Sequence, residues 1–193
     1  MKFNRLILAS KSPRRKEILE RCGFQPEILV SGCDETTVKE KDPAQLVEAL
    51  SKMKAEDVSS KCQYGDLIIA ADTVVSIDGR ILGKPKTKKE AFEMLSELNG
   101  RSHQVYTGVT VIKKKKNADE KRTFHETAEV TFAKMTNCEI HRYVDSGEPM
   151  DKAGAYGIQG IFAKHVERIE GDYYNVMGLP AAATYRVMKE IAK

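Results

Sequence analysis

The chain predicts an α/β fold, and three observations carry that prediction. Leu6 to Ala9 and Leu67 to Ala71 are short continuous apolar runs, the pattern of strands covered on both faces. Between and after them, apolar residues recur at helical spacing, first at Ile18, Leu19 and Cys22. Gln104 to Ile112 and Thr123 to Phe132 form two longer extended stretches that read as a half-exposed antiparallel hairpin.

Taken in order, Ser10, Lys11 and Ser12 break the first run, and Pro13 suits the first helical position with Ser12 as N-cap. Gly23 supplies the stop. Arg14 and Arg15 come after the proline inside the first turn, where the helix dipole disfavours cations and the free N–H groups favour an anion. With Ser10 and Ser12 they suggest a phosphate site; a solvated arginine pair is the plain alternative. Glu27 to Val30 reads as a second strand, and the polar loop Ser31 to Thr37 carries Asp34 and Glu35 past its end, where open α/β sheets place ligands. Asp42, Pro43 and Gln45 start a helix with Leu46, Ala49, Leu50 and Met53 as its buried stripe. Lys54 falls in that apolar sector, so its ammonium either snorkels to water or meets an anion.

Leu67 to Ala71 runs directly into Asp72. A carboxylate at the end of a buried strand is costly without a partner, a metal or a proton, which makes Asp72 the foremost catalytic candidate. Thr73 to Ile77 stays extended, Asp78-Gly79 is a hairpin turn, and Arg80 to Leu82 returns to Gly83-Lys84-Pro85. Lys84 is expected near Asp72, or else as a surface loop lysine. Thr87 and Glu90 cap a helix to Leu98 that Gly100 ends, and Thr136 with Glu139 caps another to Asp145. Four glycines and a proline in Ser146 to Gly160 describe either a plain connector or a loop whose backbone approaches a ligand. Lys152 could meet phosphate there, Tyr156 could pack or stack, and Gln159 offers donor and acceptor to a base edge. Ile161 to Ile169 reads as a strand, Gly171-Asp172 as a turn, and Pro180 opens a last helix with Tyr185, Met188 and Ile191 inward.

Composition excludes several classes. With 193 residues, 41% hydrophobic and 31% charged, the chain can bury one good core or two tightly joined lobes, and residues 1–193 read as a single domain without repeats or long linkers. No apolar run approaches the roughly 20 residues of a membrane span, and Lys11, Arg14 and Arg15 interrupt the start too soon for a signal peptide, so a cytoplasmic protein with no membrane partner is expected. Cys22, Cys33, Cys62 and Cys138 are too scattered for zinc or a disulfide framework. Net charge is +4, and Lys113 to Lys116 lack interleaved aromatics, so they read as a solvated hairpin tip rather than a nucleic-acid patch. None of the four histidines has a partner at metal-ligand spacing.

LASKSPRRKEIL from Leu8, Asp34-Glu35, Lys54, AADTVV from Ala70, GKP from Gly83, VYTGV from Val105, SGEPMDKAGAYGIQG from Ser146 and NVMGLP from Asn175 together resemble the Maf family of nucleoside triphosphate pyrophosphatases. The resemblance spans nearly the whole chain. It implies a Maf/ITPase-like α/β fold, with an elongated mixed β-sheet flanked by helices and two lobes around a central nucleotide-binding cleft. It also implies hydrolysis between the α and β phosphates to monophosphate and pyrophosphate with a divalent cation, Mg2+ or Mn2+. By the same resemblance Asp72 is the proton acceptor, Glu35 and Asp72 share the metal, and Lys54 and Lys84 join them in catalysis. Ser10, Ser12, Arg14, Arg15 and Lys152 surround the triphosphate. Arg14 after the proline, Thr73 after the aspartate and Gln159 in GIQG are similar to the branch acting on dTTP and UTP, with modified pyrimidine nucleotides as further expected substrates. The 7-methylguanosine triphosphate branch carries tryptophan after the proline. Ala71 departs from the usual glycine before the aspartate. A homodimer is the expected assembly, and a non-catalytic nucleotide sensor linked to arrest of cell division is the alternative function.

Overall fold

The computed structural model describes residues 1–193. Strand β1 (Leu6–Leu8) is buried along its length, and helix α1 (Pro13–Arg21) comes next, its end marked by Gly23 at a φ of 84°. Strand β2 (Glu27–Ile28) pairs in parallel with β1; it is shorter than the expected Glu27 to Val30 and exposed. Helix α2 (Pro43–Ser59) leads to β3 (Leu67–Ile77), which is parallel to β1 with Leu6 opposite Leu67. Parallel neighbours need crossover connections, and α1 and α2 supply them. Strand β3 does not stop at Ala71: the β-branched residues Val74, Val75 and Ile77 carry it on, so Asp72 lies within the strand rather than at its end. Asp78 and Gly79 both take positive φ, 50° and 76°, and the chain turns back into β4 (Arg80–Leu82) with Ile77 opposite Arg80.

Then come α3 (Lys88–Leu98), β5 (Ser102–Lys113), β6 (Glu120–Phe132), α4 (Asn137–Asp145), β7 (Val166–Glu170), α5 (Tyr173–Met177) and α6 (Ala181–Ile191). Seven strands form one mixed sheet in the order β2-β1-β3-β5-β6-β7, with β4 on β3. Helix α4 has a full reciprocal capping box between Thr136 and Glu139.

The residues divide into two compact units. The first holds Met1–Asp72, Thr107–Glu126 and Gly178–Lys193, with Ile7, Ala9, Ala55, Val58, Ile68, Ala70 and Ile112 clustered in its interior. The second holds Thr73–Tyr106 and Thr127–Met177, around Val75, Leu82, Leu95, Phe132, Tyr143, Tyr156 and Phe162.

Several local expectations shift. The buried face of α2 is Val47, Leu50, Ser51, Ala55 and Val58, rotated from the stripe through Leu46, Ala49 and Met53. Its cause is close backbone approach: a Cβ on Gly108 of β5 would stand 2.3 Å from the Val47 carbonyl carbon, and Ser51 Oγ lies 2.9 Å from Thr110 Oγ1. Cys22 is exposed beyond the last turn of α1. Ile161 to His165 form a short 3-10 helix before β7, because Phe162 and His165, three apart, are the buried residues. In α6, Met188 and Ile191 face inward but Tyr185 is exposed. Lys113 is not part of a solvated tip: it is buried, donating from Nζ to the carbonyls of Lys2 at 2.8 Å and Gly65 at 2.7 Å.

Candidate active site

In the first unit, three charged groups predicted to carry chemistry converge. Lys54 Nζ lies 2.5 Å from Asp72 Oδ1 and 3.0 Å from Glu35 Oε1. Its side chain is only 12% exposed, so the ammonium meets carboxylates rather than snorkelling to water. Each partner has a structural reason for its place. Asp72 extends from the buried β3. Lys54 is carried by α2, which Asp42 caps by accepting the Gln45 N–H and which the Gly108 contact seats on β5. Glu35 opens a single 3-10 turn that Asp34 holds, accepting from the Thr36 N–H at 3.0 Å and hydroxyl at 2.7 Å. Those bonds pull the Asp34 carboxyl below its ordinary range, so Asp34 builds the turn and Glu35 reaches the lysine.

Beside this cluster stands the loop between β1 and α1. Ser10 Oγ accepts from the Ser12 N–H and from Arg15 Nη1, each at 3.1 Å, while Arg15 Nε donates to the Gly178 carbonyl at 2.8 Å. Ser12 occupies the N-cap position but its side chain makes no capping bond, and the first turn of α1 has no acidic residue. Desolvation lowers the pKa of Arg15 below its ordinary value, with the neighbouring Arg14 charge adding to the effect and Asp72 and Glu35 opposing it. Two guanidiniums repelling each other at an open helix N-terminus make a place where an anion is favoured.

The second unit holds the other predicted residues. Thr73 is next to Asp72 in the chain. Lys84 is exposed, and the Gly154 N–H donates to the Gly83 carbonyl at 3.0 Å, tying the lysine's turn to the turn after Lys152. Lys152 Nζ is already engaged, donating to the Glu148 carbonyl and to Asp151 Oδ1, both at 2.7 Å. The Asp151 partner is exposed, so its pull is screened by solvent. Gln159 is exposed at the end of its loop. Tyr156 packs instead of presenting a face: it is buried edge-on against His103 and Phe132. His103 Nε2 is 2.9 Å from the Tyr156 hydroxyl, and burial pushes the imidazole down to about 4.

Sequence reasoning gives no role to two residues that brace the glycine-rich loop. Tyr143 and Glu148 bond the stretch from Gly157 to Ile161 at both ends; Glu148 lies inside the SGEPMDKAGAYGIQG block and Tyr143 outside it, and no spacing signal links the two to a role. For a metal, the site offers two hard donors, Glu35 and Asp72, and the chain has no group of three or more His, Cys, Asp or Glu arranged to hold an ion.

Comparisons with known proteins agree along the chain. The model of the Maf-like protein family matches residues 5–191. The dTTP/UTP pyrophosphatase of Bacillus pumilus (strain SAFR-032) is 50% identical over 187 residues, covering 97% of this chain and 96% of that protein. That of Lachnoclostridium phytofermentans is 50% identical over 186 residues, 96% and 94% of the two chains, and that of Halalkalibacterium halodurans 48% over 184 residues, 95% and 94%. The solved Ham1 protein of Staphylococcus aureus is similar over 67% of this chain and 72% of its own, with a TM-score of 0.46 and 15% identity, too distant to bear on function.

Proposed function

The chain belongs to the Maf family, and from that premise we infer that it is a nucleoside triphosphate pyrophosphatase, hydrolysing dTTP and UTP to the monophosphate and pyrophosphate. The observation that carries the chemistry is the Glu35–Lys54–Asp72 cluster beside the Ser10–Arg15 anion site. Asp72 takes a proton from water as its oxygen attacks the α-phosphorus. The bond to the α–β bridging oxygen breaks, and pyrophosphate leaves with the electron pair. Lys54 fixes the direction of the Asp72 carboxylate. Charge growing on the leaving group is met by Arg14, Arg15, Lys84 and Lys152, with Ser10 and Ser12 donating hydrogen bonds.

Glu35 and Asp72, which share the Lys54 ammonium, are the hard donors that would hold a divalent cation such as Mg2+ or Mn2+, an ion that takes one or two carboxylates and completes its shell with water and phosphate oxygens. Bound there, it would supply electrostatic stabilisation of the phosphates. Gln159 reads the O4 and N3–H edge of thymine or uracil, with Thr73 and Arg14 on the same substrate, and modified pyrimidines that keep that edge are further substrates. Such an enzyme clears unwanted nucleotides from the pool. A cytoplasmic site of action belongs to the same reading; the four cysteines are unbridged, and no helix is long and apolar enough to cross a membrane. The assembly is a homodimer, which sedimentation velocity checks.

Incubating the protein with dTTP and a divalent cation should release pyrophosphate, not orthophosphate. Asp72→Asn should lower kcat by about a thousandfold. Activity surviving that change would remove Asp72 from its role, and orthophosphate as the product would overturn the reaction itself.

A further inference from the structure

Gln159 is exposed beside the buried Ile158, and both flanks of this stretch are tied to one carboxylate. The Gly157 N–H donates to the Tyr143 hydroxyl at 3.2 Å, and that hydroxyl donates to Glu148 Oε1 at 2.9 Å. On the other side the Ile161 N–H donates to Glu148 Oε2 at 3.0 Å. Gln159 sits midway, two residues from each anchor. The glycines around it suit the same arrangement. A Cβ on Gly160 would stand 2.3 Å from Glu148 Oε1, and one on Gly157 would stand 2.4 Å from Lys152 Cε. Glu148 is itself held, its N–H donating to Ser146 Oγ at 3.2 Å and its carbonyl accepting from Lys152. Burial and the adjacent carboxylate raise the Tyr143 pKa, so the phenol stays protonated and donates.

Resting on the assignment of Gln159 to the base, we propose that Tyr143 and Glu148 are positioning residues for base selection, a clamp that fixes the attitude of the Gln159 backbone. The physical reason lies in the amide. Glutamine can present its carbonyl and its NH2 in either order, and cytosine shows thymine's donor–acceptor pattern reversed. An amide on a loose loop reads both bases. One on a pinned backbone reads the edge that its position favours, and the mismatched base leaves polar groups unpaired.

The experiment compares kcat and KM for dTTP and dCTP. Tyr143→Phe removes the hydroxyl joining Gly157 to Glu148 and should lower the dTTP-over-dCTP ratio of kcat/KM about tenfold, the size of one badly met hydrogen bond, through the KM for dTTP with kcat held. Gln159→Ala should do the same, and the double variant should be no less selective than Gln159→Ala alone. Glu148→Gln keeps an oxygen for the Ile161 N–H and should retain most of the selectivity; Glu148→Ala should not. If Tyr143→Phe lowers kcat/KM for both substrates by one factor and leaves the ratio alone, the pair is structural only and the proposal falls. If Gln159→Ala leaves the ratio unchanged, or the unaltered enzyme has no preference, the clamp has no base reading to serve and also falls, with the pyrophosphatase intact. Failure of the parent protein to release pyrophosphate from dTTP would instead strike the function from which both readings start.

Discussion

A lysine held by two carboxylates is a strong local constraint, and Lys54 is the residue that keeps this cluster together. Asp72 and Glu35 share its ammonium, at 2.5 and 3.0 Å, and their side chains are 15% and 54% exposed. Lys54→Ala leaves two like charges with no shared cation and frees the Asp72 carboxylate to rotate. The expected result is a fall in kcat of about a hundredfold with little change in thermal midpoint, measured by pyrophosphate release and by melting. Asp72 is legible in the sequence as a carboxylate in an apolar run, and Lys54 as a lysine in an apolar stripe. That they meet is not legible, since 18 residues separate them and only the seating of α2 on β5 brings the ammonium to the strand. For Arg15 the reverse holds: proline, serines and paired arginines are adjacent in sequence, so the proposed anion site lies in one short stretch.

At the scale of elements, caps and turns are legible because they are decided within four residues. Thr87 accepts from the Glu90 N–H, Thr136 and Glu139 complete a box, and Asp78-Gly79 turns a hairpin. Faces are less legible where packing overrides hydrophobic pattern. On α2 the deepest residues include Ser51, whose hydroxyl finds Thr110 Oγ1, and the helix backbone presses on Gly108. No periodicity argument anticipates a serine chosen for closeness. Gly108→Ala should therefore force α2 away from β5. It should destabilise the protein by about 1 to 3 kcal/mol, seen as a lower urea midpoint, and lower activity as well because α2 carries Lys54.

At the scale of the whole molecule, stability should depend on pH through His103. Its folded pKa is pushed down to about 4 by burial, against an ordinary value of 6.5. Below pH 6.5 the unfolded chain takes up a proton that the folded chain refuses, so stability is full above about pH 6.5. It is lost progressively as pH falls towards 4, where the loss levels off at about 3 kcal/mol. His165, also lowered mainly by burial, acts in the same direction. Urea titrations from pH 8 to pH 4 on the parent protein and His103→Gln check this: the parent should lose more stability over that range than the variant, and parallel curves would exclude His103 as the source.

By itself the sequence determined the α/β class, most helix ends, the hairpin turn and the identity of the candidate chemical groups. These rest on short-range chemistry: capping, glycine at positive φ, and apolar runs around polar exceptions. Tertiary structure alone decided which charges pair, which face of α2 is buried, that Tyr156 packs rather than stacks on a ligand, and that Tyr143 and Glu148 hold the Gln159 loop. Those outcomes depend on contacts between residues distant in the chain, where a buried donor takes whichever acceptor the packing brings within reach.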